Sequence, residues 1–105
     1  MRNRKRCGRP RCLRNVSKIP DVDYFKPRGI PLVDLEAVVL SVEELEAIKL
    51  VDFQGLEHEE AAQKMNVSRK TLWRDLKSGR KKVADALING KAIEIKGGNF
   101  VVRKD

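Results

Sequence analysis

The chain has 105 residues with 23 Lys/Arg against 15 Asp/Glu, a net charge of +8. That length supports one small domain with tails, near the lower limit for a useful hydrophobic core. Its surplus charge points to a polyanionic partner, and no apolar run approaches the length of a membrane span, so no membrane partner is expected. With no apolar signal core behind the cationic N-terminus, the expected location is cytoplasmic, with Cys7 and Cys12 as reduced thiols.

Residues 1–31 read as a basic arm punctuated by Pro10, Pro20, Pro27 and Pro31. Within it, Arg6-Cys7-Gly8-Arg9-Pro10-Arg11 carries a Gly-Arg-Pro core that resembles an AT-hook. In that reading Arg6, Arg9 and Arg11 enter a narrow minor groove, where the negative potential is enhanced; a generic cationic tail is the alternative. Val22, Tyr24 and Phe25 suggest a docked extended segment, since the aromatic pair would be wasted in solvent.

Residues 32–90 are expected to form the main domain. Ser41 and Glu44 have the spacing of a capping box opening a helix over about 42–53, with Leu45, Ile48, Val51 and Phe53 on its buried side. Gly55 ends it, and a second helix follows at roughly 57–66. Asn66 suits the left-handed turn, Val67 is an apolar plug, and Ser68 is the N-cap of a third helix reaching Asn89. Leu72, Leu76, Val83 and Leu87 share one face of that helix, and Gly79 in its middle admits either a kink or a close backbone approach. In residues 91–105, Ala92–Lys96, Gly97-Gly98 and Phe100–Val102 read as a short β-hairpin tail. The fold class expected is mainly α: a helix-turn-helix with a three-helix core, an extended basic N-terminal arm and a C-terminal β-hairpin.

Charge alternates along the chain. Residues 1–30 hold ten Lys/Arg against two acids, residues 31–60 one against nine, and residues 61–90 eight against two. A basic arm, an acidic outer helix and a basic recognition helix produce that pattern; a uniform solubility surface does not. The contact candidates on the recognition helix, about 68–78, are Ser68, Arg69, Lys70, Thr71, Trp73, Arg74 and Lys77. Arg69 and Arg74 have forks that match guanine O6 and N7, while Ser68 and Thr71 suit phosphate at the helix N-terminus. Arg80, Lys81 and Lys82 extend the face for non-specific phosphate contacts, or form a solvated surface. Trp73 closes the core or faces thymine methyls; both remain open from spacing alone.

No metal and no cofactor are expected. Four residues separate Cys7 from Cys12, there is no second pair, and the single His58 lies far from them in sequence. No phosphate-binding glycine loop is present, and Glu43, Glu44, Glu46, Glu57, Glu59 and Glu60 are read as helix N-terminal charges and a solvated face, so an enzyme is not expected.

From Leu40 to Leu76, the runs Leu-Ser-Val-Glu-Glu-Leu-Glu-Ala-Ile-Lys-Leu and Glu-Glu-Ala-Ala-Gln-Lys-Met-Asn-Val-Ser-Arg-Lys-Thr-Leu resemble the promoter-reading final domain of sigma factors. Gly8-Arg9-Pro10-Arg11, Phe25-Lys26-Pro27, Gly29-Ile30-Pro31, Leu50-Val51-Asp52, Val83–Leu87 and Gly90-Lys91-Ala92 extend the likeness to nearly the whole chain. On these motifs it resembles the small prokaryotic family catalogued as domain of unknown function 134. The resemblance implies a sigma-like helix-turn-helix and DNA binding. Two positions depart from the helix-turn-helix pattern: Asn66 stands where Gly is usual, and Asp75 where an apolar residue is common. A buried carboxylate at 75 requires a rotated helix with Leu76 in its place, or a basic partner.

The first expectation is therefore a sequence-specific double-stranded DNA-binding protein, a transcriptional regulator, acting alone or as a homodimer. The alternatives are a sigma-like adaptor whose acidic first helix meets a basic partner such as RNA polymerase, and a non-specific nucleic-acid-binding architectural protein.

Overall fold

The computed structural model describes residues 13–102. Among them are three α-helices and five strands: β1 (Arg14–Val16), β2 (Tyr24–Phe25), β3 (Ala37–Leu40), α1 (Val42–Ile48), α2 (His58–Met65), α3 (Arg69–Asn89), β4 (Ala92–Ile95) and β5 (Phe100–Val102). The strands form two sheets, so the fold is mixed α/β, not mainly α.

The three helices follow their local signals. Ser41 caps α1: its side chain accepts from the Glu44 amide at 3.2 Å, and the Glu44 carboxylate accepts from the Ser41 amide at 3.0 Å. α1 runs on into a wider π turn, Lys49–Phe53. This turn points Phe53 outward, 84 % exposed, where a continued α-helix was expected to bury it. Asn66 takes the left-handed conformation (φ 59°, ψ 45°) that ends α2. Ser68 caps α3 by accepting from the Thr71 amide at 3.1 Å. Ala47, Leu50, Ala61, Ala62, Met65, Val67, Leu72 and Leu76 close together into the helical core.

Gly79 marks where α1 crosses α3. A Cβ there would lie 3.0 Å from Ile48 Cδ1 and 3.3 Å from the Glu44 carbonyl oxygen, so the missing side chain lets the helices approach. Of the two readings of this glycine, close approach is the one realised.

The expected C-terminal hairpin does not form. β4 and β5 exist where the pattern put them, but they pair with other strands. β4 is the centre of a three-stranded sheet, antiparallel to β2 (Phe25 opposite Ile93) and parallel to β3 (Val38 opposite Ile93). β5 runs parallel to β1, with Arg14 opposite Phe100. A two-stranded hairpin is marginal, whereas β4 flanked on both edges satisfies its backbone on both sides. Gly98, at φ 113°, carries the chain across, and a side chain there would collide with the Glu43 carboxylate. Two segments within residues 1–31 and two within 91–105 thus pair with one another. Val16, Leu40, Val42 and Ile95 form a second core under these strands, with Ile48 packed against both clusters.

Candidate nucleic-acid interface

Helix α3 sorts its residues by face. At 100° per residue, Leu72, Asp75, Leu76, Gly79 and Ala86 point inward, and all are buried. Thr71 is inward too and fully buried, with its hydroxyl accepting from Ser68 Oγ at 3.1 Å. Both hydroxyls proposed for phosphate contact are therefore engaged in the cap, and Thr71 is out of a ligand's reach. Leu87, expected to be buried with Leu76, is 77 % exposed. Eleven residues bring it back to within about 20° of Leu76, so its phase is right and what it lacks is a covering neighbour: it lines open clefts beside Phe25 and Ile48.

The outer side divides into two rows. In the first, Arg69, Trp73 and Arg80 lean toward α2 and the π turn. Arg69 stands 3.7 Å from Glu59, both side chains exposed. Trp73 is 43 % exposed, so it does not close the core. Its ring stacks on His58, centroids 5.7 Å apart at 26°, and the Arg80 guanidinium lies 5.9 Å from its centroid. Arg80 in turn makes a two-pronged bond to Asp52, at 3.0 and 2.7 Å. Those bonds pull the Asp52 carboxyl below its ordinary pKa and push the guanidinium up.

The second row is Lys70, Arg74, Lys77 and Lys81, all exposed. The spacing of four, three and four residues aligns them along one side of the helix over roughly 16 Å. No acidic residue falls in this row. Lys82, grouped with the basic face by sequence, instead turns inward and donates to both Glu44 oxygens, at 2.8 and 3.2 Å. Arg6, Arg9 and Arg11, and with them Cys7 and Cys12, lie outside the described residues.

The three carboxylates of α1 are used inside the protein, while Glu57, Glu59 and Glu60 are exposed. Glu43, Glu44 and Glu46 are 7 %, 7 % and 4 % exposed, not a solvated face. Glu43 accepts from the Asn99 amide, Glu46 from the Ser17 amide and hydroxyl, and Glu44 from Ser41, Ser78 and Lys82. Lys49 donates to Ser17 beside Glu46. Each carboxylate ties α1 to a distant segment. Burial alone raises the Glu44 pKa, but the bonds from Lys82, Ser78 and Ser41 outweigh it and hold the carboxyl below its usual value.

Asp75 resolves in the way its sequence position demanded. Leu76 takes the core position, fully buried, and Asp75 meets a basic partner. Arg14 of β1 donates from Nε and Nη2 at 3.0 and 3.1 Å, with side chains 7 % and 11 % exposed. Burial raises the Asp75 pKa, against the pull of Arg14. The pair lies 61 residues apart in sequence, so no local pattern could name Arg14 as the partner. Glu43 and Glu46 were equally hidden, because nothing local marks a surface-type residue that tertiary structure will enclose.

Fold and surface together define a small mixed α/β protein with a helical unit presenting one long helix whose outward side is basic. A family model described as "Protein of unknown function DUF134" matches residues 2–103, and the chain belongs to that family. It is 61% identical to a UPF0251 protein of Methanosarcina acetivorans, over 92% of this chain and 88% of the relative. A UPF0251 protein of Pelotomaculum thermopropionicum is 60% identical over 87% of this chain and 68% of its own length. Another, of Caldanaerobacter subterraneus, is 58% identical over 90% and 80%. No solved structure matches the chain. Among the described residues, no helix is long and apolar enough to cross a membrane, and no group of three or more His, Cys, Asp or Glu is placed to hold a metal ion.

Proposed function

We propose that this protein binds double-stranded DNA and regulates transcription, with α2 and α3 acting as a helix-turn-helix and α3 lying in the major groove. The observation that carries the reading is the second row of α3. Lys70, Arg74, Lys77 and Lys81 stand exposed along one side without an intervening acid. Their reach of roughly 16 Å covers about five base-pair steps, which suits a helix following the groove between phosphate rows. The left-handed residue between α2 and α3 and the Ser68 cap support the same reading, since they set the two helices at a fixed angle.

The adaptor reading loses its surface. Glu43, Glu44 and Glu46 are committed to Asn99, Ser17, Ser41, Ser78 and Lys82, so α1 offers no acidic face to a basic partner or to RNA polymerase.

Selection from a random duplex library with the full chain, at two salt concentrations, tests the proposal. One motif should be enriched, and a palindromic motif reports a homodimer. Replacing Lys70 and Lys77 by Ala should weaken binding to all sequences and lower the salt slope by about one per phosphate no longer neutralised. Steep salt dependence with no enriched motif overturns sequence-specific regulation and leaves an architectural role. Absence of binding overturns DNA recognition itself.

A further inference from the structure

Trp73 is the one large apolar side chain on the outer side of α3 within its first two turns, the part of a groove-lying helix that reaches base edges. Its indole is 43 % exposed, leaving apolar ring surface open to an apolar group in a complex. It is also held in place. His58 stacks against it at 5.7 Å, Arg80 lies 5.9 Å from its centre, and Asp52 anchors Arg80. The two charged neighbours in its row, Arg69 and Arg80, are each directed to a carboxylate, Glu59 and Asp52. A fixed apolar plate is thus presented where the flanking guanidinium groups are already directed sideways.

Resting on the DNA reading above, we infer that Trp73 is a specificity-determining residue that reads a pyrimidine 5-methyl group in the major groove. The 5-methyl of thymine is the one apolar feature a base pair presents on that side, and contact with it distinguishes T·A from the other pairs. A ring with few rotatable bonds, already stacked before binding, loses little conformational freedom in making the contact.

Deoxyuridine provides the test, because it removes the methyl and leaves every hydrogen-bonding group of thymidine in place. The selected duplex is resynthesised with uracil at one thymine position at a time, and Kd is measured for the wild-type chain. One or two positions should lose about fourfold in affinity, the scale of one buried methyl. Trp73→Ala should bind thymine and uracil duplexes alike at those positions, with its salt slope unchanged. Trp73→Phe should keep part of the discrimination, which separates loss of the ring from loss of the fold.

If the wild-type chain binds a defined site and no uracil substitution matters, the role of Trp73 is overturned while DNA recognition stands. Discrimination that persists in Trp73→Ala overturns it as well, since another side chain then reads the methyl. No binding to duplex DNA overturns both readings together.

Discussion

The helical half and the strand half of this protein are held by different forces. Around Leu50, Met65, Leu72 and Leu76 the helices pack apolar side chains that are at most 2 % exposed. The strands are two to four residues long and bury the apolar residues Val16, Leu40, Ala92 and Ile95, with Val42 of α1 beside them. What binds them to the helices is a set of buried carboxylates: Asp75 to Arg14 on β1, Glu46 to Ser17 just after it, and Glu43 to Asn99 just before β5. Apolar packing is non-directional and tolerates small shifts, whereas a buried carboxylate demands one partner in one place. The strand half is thereby locked in a single arrangement by ties that fail abruptly when one side is removed.

The largest effect should come from cutting the deepest tie. Asp75→Ala removes the carboxylate that balances the buried Arg14 guanidinium, with an expected loss of about 3–5 kcal/mol in urea denaturation. Converting both partners to apolar residues, Arg14→Met with Asp75→Leu, should recover most of that loss. A double variant as unstable as Asp75→Ala alone would show that the strands are held by something other than this pair.

Next in size is the junction between α1 and α3. Gly79→Val should cost about 1–3 kcal/mol, because a Cβ already falls 3.0 Å from Ile48 Cδ1 and 3.3 Å from the Glu44 carbonyl oxygen, so both neighbours must shift to admit the side chain. A neutral result would mean that the helices slide apart freely and that their close approach is not a constraint.

The smallest effect concerns acid. Glu44 has a folded-state pKa below its ordinary 4.5, so its stabilisation is present above that value and is lost as pH falls through the depressed one. Asp75 has the opposite sign. Its folded pKa lies above the ordinary 3.8, so the burden of its buried charge is relieved as pH falls through that raised value. Glu44→Gln should therefore be less stable at neutral pH and lose less stability on acidification than the wild type. Denaturation midpoints at neutral pH and below 4.5 check this; parallel curves would mean that Lys82 and Ser78 contribute nothing through the carboxylate's charge.

The helices were legible because their signals are local. Ser41 with Glu44, Asn66, Ser68 and the pair Leu72 and Leu76 each act within four residues of themselves, and each does what its chemistry implies. Phe53 was misplaced by extending one helical period through a π turn, and Leu87 by taking its face of α3 to be covered as far as the helix end. Strand positions 92–95 were readable from alternation and 100–102 from the apolar run after Gly97-Gly98, but their partners were not. Pairing is a contest among strands far apart in sequence, and β2 and β3 outcompeted the adjacent β5 for β4. On the candidate interface, the basic stretch was visible in the sequence. Its division was not: Thr71 and Lys82 turn inward, Arg80 is tied to Asp52, and Lys70, Arg74, Lys77 and Lys81 are left in one row.

Local chemistry alone thus determined where the helices start and stop, which side of α3 is basic, and that Asp75 required either a partner or displacement by Leu76. The tertiary structure decided which partner, which strands pair, and that the three carboxylates of α1 face inward. The physical reason is range: caps, turns and periodicity act over a few residues of one chain segment. Burial of a carboxylate depends instead on where donors 29 to 61 residues away come to rest, as Glu46 with Ser17 (29 apart), Glu43 with Asn99 (56) and Asp75 with Arg14 (61) show.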